Sequence, residues 1–218
     1  MKESETDILE FSNWRVRYRG FTGNGVQPVL LLLHGWTGDE NSMWIFASRL
    51  PREAILIAPR GPYPTPLGGF GWQLNQRKEW PDVADFRPAV NDLISLLTNG
   101  NFPGADLRRL HLLGFSQGAA LAFTFAILYP ELVLSIGSLS GFLPEDAESW
   151  LSNRTLWEKP IFIAHGAQDD LVPVSRARNS VGILERSGGE VIYCEDDVGH
   201  KLSASCFRSM EAFYKKYF

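Results

Sequence analysis

The apolar positions of the chain fall into short unbroken runs. "PVLLLLHG" (28–35), "AILIAP" (54–59), "LHLLG" (110–114), "LSIGSLSG" (134–141), "PIFIAHG" (160–166) and "VIYCE" (191–195) each hold such a run. Strands buried on both faces read this way, and they belong to parallel sheets covered by helices. Between the runs, apolar residues return at helical spacing over Met43–Leu50, Val83–Thr98, Gln117–Tyr129, Arg176–Arg186 and Ser203–Tyr217. "NWRVRYRG" (13–20) alternates instead, which predicts a half-exposed edge strand. The alternation of strands and helices predicts an α/β sandwich of three layers, with a mostly parallel sheet in the middle. Residues 59–82 hold five prolines and four glycines and form the longest irregular stretch. Loops of that length in compact domains are usually functional or disordered, and Phe70, Trp72 and Trp80 argue for order here.

In such a sheet the loops after the strands gather on one edge, where ligands bind. Gly114-Phe115-Ser116-Gln117-Gly118 stands on that edge and matches G-x-S-x-G. The five letters alone are a weak signal, but "LHLL" precedes them as a buried strand and "AALAFTFAILY" follows as a helix. A sharp strand-to-helix turn lifts a serine hydroxyl clear of the sheet, and the helix N-terminus favours negative charge there. A plain helix cap would also place a serine at this position.

A nucleophilic serine needs a base. In this kind of fold the triad runs serine, acid, histidine. His34 and His111 precede Ser116, and His165 precedes the best acids, which leaves His200 in "DDVGHKLS". The acid should follow a strand on the same edge, and "IFIAHGAQDDLVP" offers Asp169 and Asp170; spacing does not choose between them. The oxyanion of an acyl intermediate would take the backbone N–H of Gln117 and that of Trp36, in the glycine turn "HGWTGDE" (34–40). Trp36, Phe70, Trp72, Phe142, Leu143, Leu171 and Val172 lie on segments expected at this edge and are candidates for an acyl groove.

Composition narrows the picture. With 218 residues and 44% hydrophobic content, one domain over 1–218 is expected. A net charge of −4 and no basic tract argue against non-specific nucleic-acid binding, and no nucleic-acid partner is expected. "MKESETDILEF" has no apolar core of a signal peptide, and no apolar run is long enough for stable membrane insertion. Cys194 and Cys206 are expected as reduced thiols of a cytoplasmic protein. There is no HExxH and no paired CxxC, so no metal is expected. A homodimer is compatible with the sequence but not derivable from it.

With these residues in view, the chain resembles the α/β-hydrolase superfamily, and within it the phospholipase/carboxylesterase family that includes acyl-protein thioesterases. The likeness rests on "LLLHGWTGDE", "APRGPYP", "GFSQGAALA", "LSGFLP", "HGAQDDLVP" and a late "GH", from about Gln27 onward. It implies an α/β-hydrolase fold without a large lid and no metal or organic cofactor. It implies Asp169, the aspartate of "HGxxDxxVP", as the acid. The chain departs from many relatives in carrying Asp170 beside it. The resulting expectation is a serine carboxylesterase acting on short- to medium-chain acyl esters, small molecules, through Ser116, Asp169 and His200. Thioesters and lysophospholipids fit the same machinery, as an acyl-protein thioesterase or lysophospholipase. C–C hydrolysis and a binding module that kept the fold are the readings from other classes.

Overall fold

The structure, a computed structural model, describes residues 6–20, 25–74, 79–152 and 155–218. The strands are β1 (Thr6–Phe11), β2 (Trp14–Arg19), β3 (Gln27–Leu33), β4 (Ile55–Pro59), β5 (Tyr63–Pro64), β6 (Phe70–Gly71), β7 (Ala105–Phe115), β8 (Val133–Leu139), β9 (Pro160–Gly166) and β10 (Glu190–Asp196). The helices are α1 (Val83–Thr98), α2 (Gln117–Leu128), α3 (Ala147–Trp150), α4 (Val174–Arg186) and α5 (Ala204–Tyr217). Eight strands form one sheet in the order β1-β2-β4-β3-β7-β8-β9-β10, and β5 and β6 pair apart from it. The ladders from β4 through β10 are parallel, and the hairpin β1–β2 adds antiparallel ladders at the β4 side.

The unbroken apolar runs divide between two cores by residue parity. Val29, Leu31 and Leu33 of β3 pack with α1, α2 and α4, while Leu30 and Leu32 pack with α5 and the segment 42–50. That is the period-2 alternation of a strand with both faces covered. The hairpin departs from the sequence reading. β2 is not the edge; β1 lies outside it in six-residue register, on residues whose sequence reads only as an acidic lead-in. The expected helix over Met43–Leu50 is a 3₁₀ turn over Ser42–Phe46, which still buries Met43 and Phe46. Within the irregular stretch 59–82, residues 75–78 lie outside the described residues, as do residues 1–5 of the lead-in.

Two connections tie the layers together. The Tyr214 hydroxyl of α5 crosses under the sheet and donates to the Leu112 carbonyl of β7 at 2.6 Å; burial pushes that phenol far up from its usual pKa. Cys194 of β10 and Cys206 of α5 form a disulfide, with their Cα atoms 5.6 Å apart. The bridge corrects the expectation of two reduced thiols. Adjacent-element geometry brings together two cysteines whose twelve-residue separation carried no sign of it. The cytoplasmic expectation rested on free thiols and loses that support. Among the described residues no helix is long and apolar enough to cross a membrane.

His111 sits mid-strand on β7, 1% exposed, with Nδ1 2.7 Å from the Ser135 hydroxyl and its ring against Phe218. Burial, and then Arg109, lower its pKa to about 4; burial does the same to His34. Both rings therefore fold neutral, whereas the unfolded chain protonates them near 6.5. A depressed pKa on a base means stability held above pH 6.5 and lost as pH falls toward 4. Each should cost about 2–3 kcal/mol of folding free energy by pH 4.5. Urea unfolding at pH 7.5 and 4.5 checks this, and His111→Gln should flatten the difference.

Candidate active site

Ser116 joins β7 to α2 with φ 52° and ψ −116°. A non-glycine residue held at positive φ stores about 1–3 kcal/mol of strain, and only surrounding structure keeps it there. That structure is backbone. The Ser116 N–H donates to the Leu139 carbonyl of β8 at 2.9 Å, and its own carbonyl accepts the Ala119 N–H at 3.0 Å. Gly114 and Gly118 allow the approach: a Cβ at Gly114 would strike the Gly118 backbone, and one at Gly118 would strike the Leu33 carbonyl. Gln117 opens α2, where the first N–H groups have no acceptor within the helix.

The turn after β3 lies against this corner. A Cβ built on Gly35 would stand 3.4 Å from that of Ser116, which puts Trp36 beside the serine. The turn is fixed from three directions. His34 Nδ1 lies 2.7 Å from the Gly35 carbonyl and so carries the proton; Nε2 then accepts the Gly61 N–H at 2.8 Å. The tautomer is assigned from these partners. The indole N–H of Trp72 donates to the His34 carbonyl at 2.8 Å, and the Phe70 N–H to that of Gly38 at 2.9 Å. Glu40, buried, receives Arg60 at 2.7 and 2.9 Å and Arg15 at 3.0 Å. Burial raises the Glu40 pKa, but the Arg60 hydrogen bonds, a backbone hydrogen bond and the Arg60 charge together turn the net shift downward.

Across the edge, Asp169 follows β9 and is 6% exposed. One carboxylate oxygen accepts the N–H groups of Leu171 and Val172, both at 2.9 Å. The other lies 2.7 Å from His200 Nδ1, between β10 and α5. His165 Nε2 donates to the Val172 carbonyl at 2.8 Å and stands 3.4 Å from the same Asp169 oxygen. The His200 ring meets that of Phe115, the neighbour of Ser116, edge-on at 5.0 Å. Asp170, by contrast, is exposed.

A cavity of about 580 Å³ opens between these loops, lined by Trp36, Met43, Ile45, Phe46, Phe115, Leu202 and Phe207 together with Thr37, Ser42 and Lys201. This is the size of a small-molecule site. Of the seven residues expected in a groove, Trp36 lines this cavity. Trp72 is wholly buried under the His34 turn, and Phe70 lies under the Arg60 guanidinium. Phe142, Leu143 and Val172 belong to the core on the far face of the sheet, and Leu171 is 69% exposed. The lining comes instead from the 3₁₀ turn and the start of α5. Sequence spacing reads Met43, Phe46 and Phe207 as core; only the closeness of Leu202 to His200 in the chain could have marked this side.

A second feature escapes the sequence. The Gln117 side chain accepts the Trp72 N–H at 2.9 Å and donates to Gln73 at 2.8 Å, pinning the irregular loop to the serine corner. Among the described residues no cluster of His, Cys, Asp or Glu could hold a metal ion.

Comparison with known proteins agrees with this architecture. Residues 22–218 match the family model for phospholipase/carboxylesterase. Acyl-protein thioesterase 1 of Debaryomyces hansenii is 26% identical over 191 residues, covering 77% of this chain and 80% of its own. That of Yarrowia lipolytica is 27% identical over 160 residues, covering 66% and 70%. A carboxylesterase from Mesorhizobium loti superposes with a TM-score of 0.81 at 22% identity, over 96% of this chain and 98% of its own. The carboxylesterase of Bacillus cereus gives the same score and identity over 95% and 96%. The chain belongs to the phospholipase/carboxylesterase family, and with it to the hydrolases that act on ester bonds.

Proposed function

We propose that the protein is a serine esterase in which Ser116, His200 and Asp169 form the triad. The observation that carries this reading is the buried Asp169 carboxylate, whose one oxygen is saturated by two backbone N–H groups while the other faces His200 Nδ1 at 2.7 Å. A carboxylate so placed fixes the imidazole with its proton on Nδ1 and leaves Nε2 free to take one. Ser116 attacks the acyl carbon as its proton passes to His200 Nε2. The backbone N–H groups of Gln117 and Trp36 receive the oxyanion. The leaving alcohol takes the proton from His200, and water repeats the two steps on the acyl-enzyme. A thiolate leaving group follows the same path, in keeping with relatives named acyl-protein thioesterase.

The acyl chain is assigned to the cavity between the 3₁₀ turn and α5, whose walls are mostly apolar. Each methylene buried there contributes about 0.8 kcal/mol until the cavity is full. Small-molecule esters of short to medium chain length are the substrates this favours.

Ser116→Ala should fold normally and lose on the order of 10⁴-fold in kcat, and a fluorophosphonate should label the wild type and not the variant. Asp169→Asn should cost on the order of 10³-fold or more in kcat and Asp170→Asn far less. If kinetics of the two variants rank the other way, the acid is misassigned. Phe207→Ala should lower kcat/KM for hexanoate and octanoate p-nitrophenyl esters more than for acetate (a range spanning a few methylene increments of about 0.8 kcal/mol). Equal losses on all chain lengths would place the acyl chain elsewhere.

A further inference from the structure

His200 stands six residues from Cys194 and six from Cys206, at the middle of the segment that the disulfide closes. The segment has two attachments. On one side it holds the acid loop: Ala167 N–H to the Asp196 carbonyl at 2.8 Å, Gln168 N–H to that of Val198 at 3.0 Å, and Gln168 Nε2 to Asp197 at 2.7 Å. These bonds couple His200 to Asp169. Ser116 stands three strands away from β10, on β7, and His200 meets that strand through the edge-on contact of its ring with Phe115. A firmer coupling runs through α5. Its Tyr214 hydroxyl is bonded to Leu112 on the serine's own strand, and its Cys206, 1% exposed, is bonded to Cys194. The same stem carries the side-chain bond of Ser205 to Asp196 and the Ser203 cap on Cys206. β10 is an edge strand, paired to β9 alone, so its outer side has no strand beside it.

We infer that Cys194 and Cys206 are positioning residues for the reaction: their bond holds the His200 segment against α5 so that Nε2 meets Ser116. This rests on the triad reading above. Opening the bridge takes two electrons and two protons. A dithiol supplies them, leaving two thiols on the protein and closing to its own cyclic disulfide. The His200 segment is then released from α5, while Asp169 after β9 and Ser116 after β7 stay joined through β8. Displacements of an ångström at reacting groups cost on the order of 10²-fold in rate. The cavity wall from the 3₁₀ turn is untouched, but Lys201 and Leu202 lie in the released segment, so the loss falls chiefly on kcat with a smaller change in KM.

The test compares oxidised protein with protein reduced by dithiothreitol, then reoxidised. Thiol titration of the denatured protein counts the bridge, near-ultraviolet dichroism follows the fold, and the rates of fluorophosphonate labelling and of ester hydrolysis follow the site. The expected result is no free thiol before reduction and two after. The native dichroism should be retained, labelling and kcat should fall at least 10-fold with a smaller change in KM for the acetate ester, and both rates should recover on reoxidation. Cys194→Ser/Cys206→Ser should behave as the reduced protein and no longer respond to dithiol. Two free thiols in the untreated protein, equal rates in both states, or a rate loss that only tracks loss of dichroism would each overturn the inference. Absence of labelling in the oxidised protein would instead strike the triad itself, so the two failures are separable.

Discussion

Everything at the site depends on a corner in which three backbones touch. Ser116 is held at positive φ because β3, β7 and the first turn of α2 approach to a distance that leaves no room for a Cβ at Gly114 or Gly118. The strain is local, and the force that sustains it is not. It comes from the burial of apolar side chains on both faces of the sheet, which fixes the spacing of β3 and β7. The hydroxyl is thereby presented by the most deeply packed part of the molecule. Its partners come on loops, each of which is pinned separately to that frame.

The four histidines show how burial divides labour among identical side chains. His34, His111 and His165 are at most 2% exposed, and each has a ring nitrogen engaged by a fixed neighbour. His34 bridges two loops as a neutral ring, donating at one nitrogen and accepting at the other. The His200 side chain keeps 17% of its surface in contact with solvent. Chain order singled out His200 in the sequence, and burial separates it from the others on independent grounds.

What could be read from sequence was what depends on local pattern. The parallel strands show as unbroken apolar runs, and α1, α2, α4 and α5 show as periodic ones. The corner at Ser116 is visible because its glycines and the flanking strand and helix are contiguous. What stayed hidden depends on contacts between distant segments. β1 sets only Leu9 and Phe11 against the core and gains its place from a six-residue ladder with β2. Trp72 reads as a groove residue because its loop is irregular, yet it is buried by two partners, His34 and Gln117, that lie far from it in the chain. The cavity wall from the 3₁₀ turn and α5 reads as core, since a lining apolar residue and a buried one look alike in sequence. The bridge between Cys194 and Cys206 follows from the packing of α5 beside β10, which no spacing announces.

Helix α2 has a consequence for how such a chain can change over descent. Eleven of its twelve residues, Gln117 through Ile127, are buried. It therefore has no wet face on which neutral substitutions could accumulate, and its small residues Gly118 to Ala120 sit against neighbouring backbone and side chains. Helices α4 and α5 keep polar faces toward water. Over long divergence, change should collect on those two helices. The helix that starts at the serine would drift slowly even in a descendant that had lost its chemistry, because packing alone constrains it.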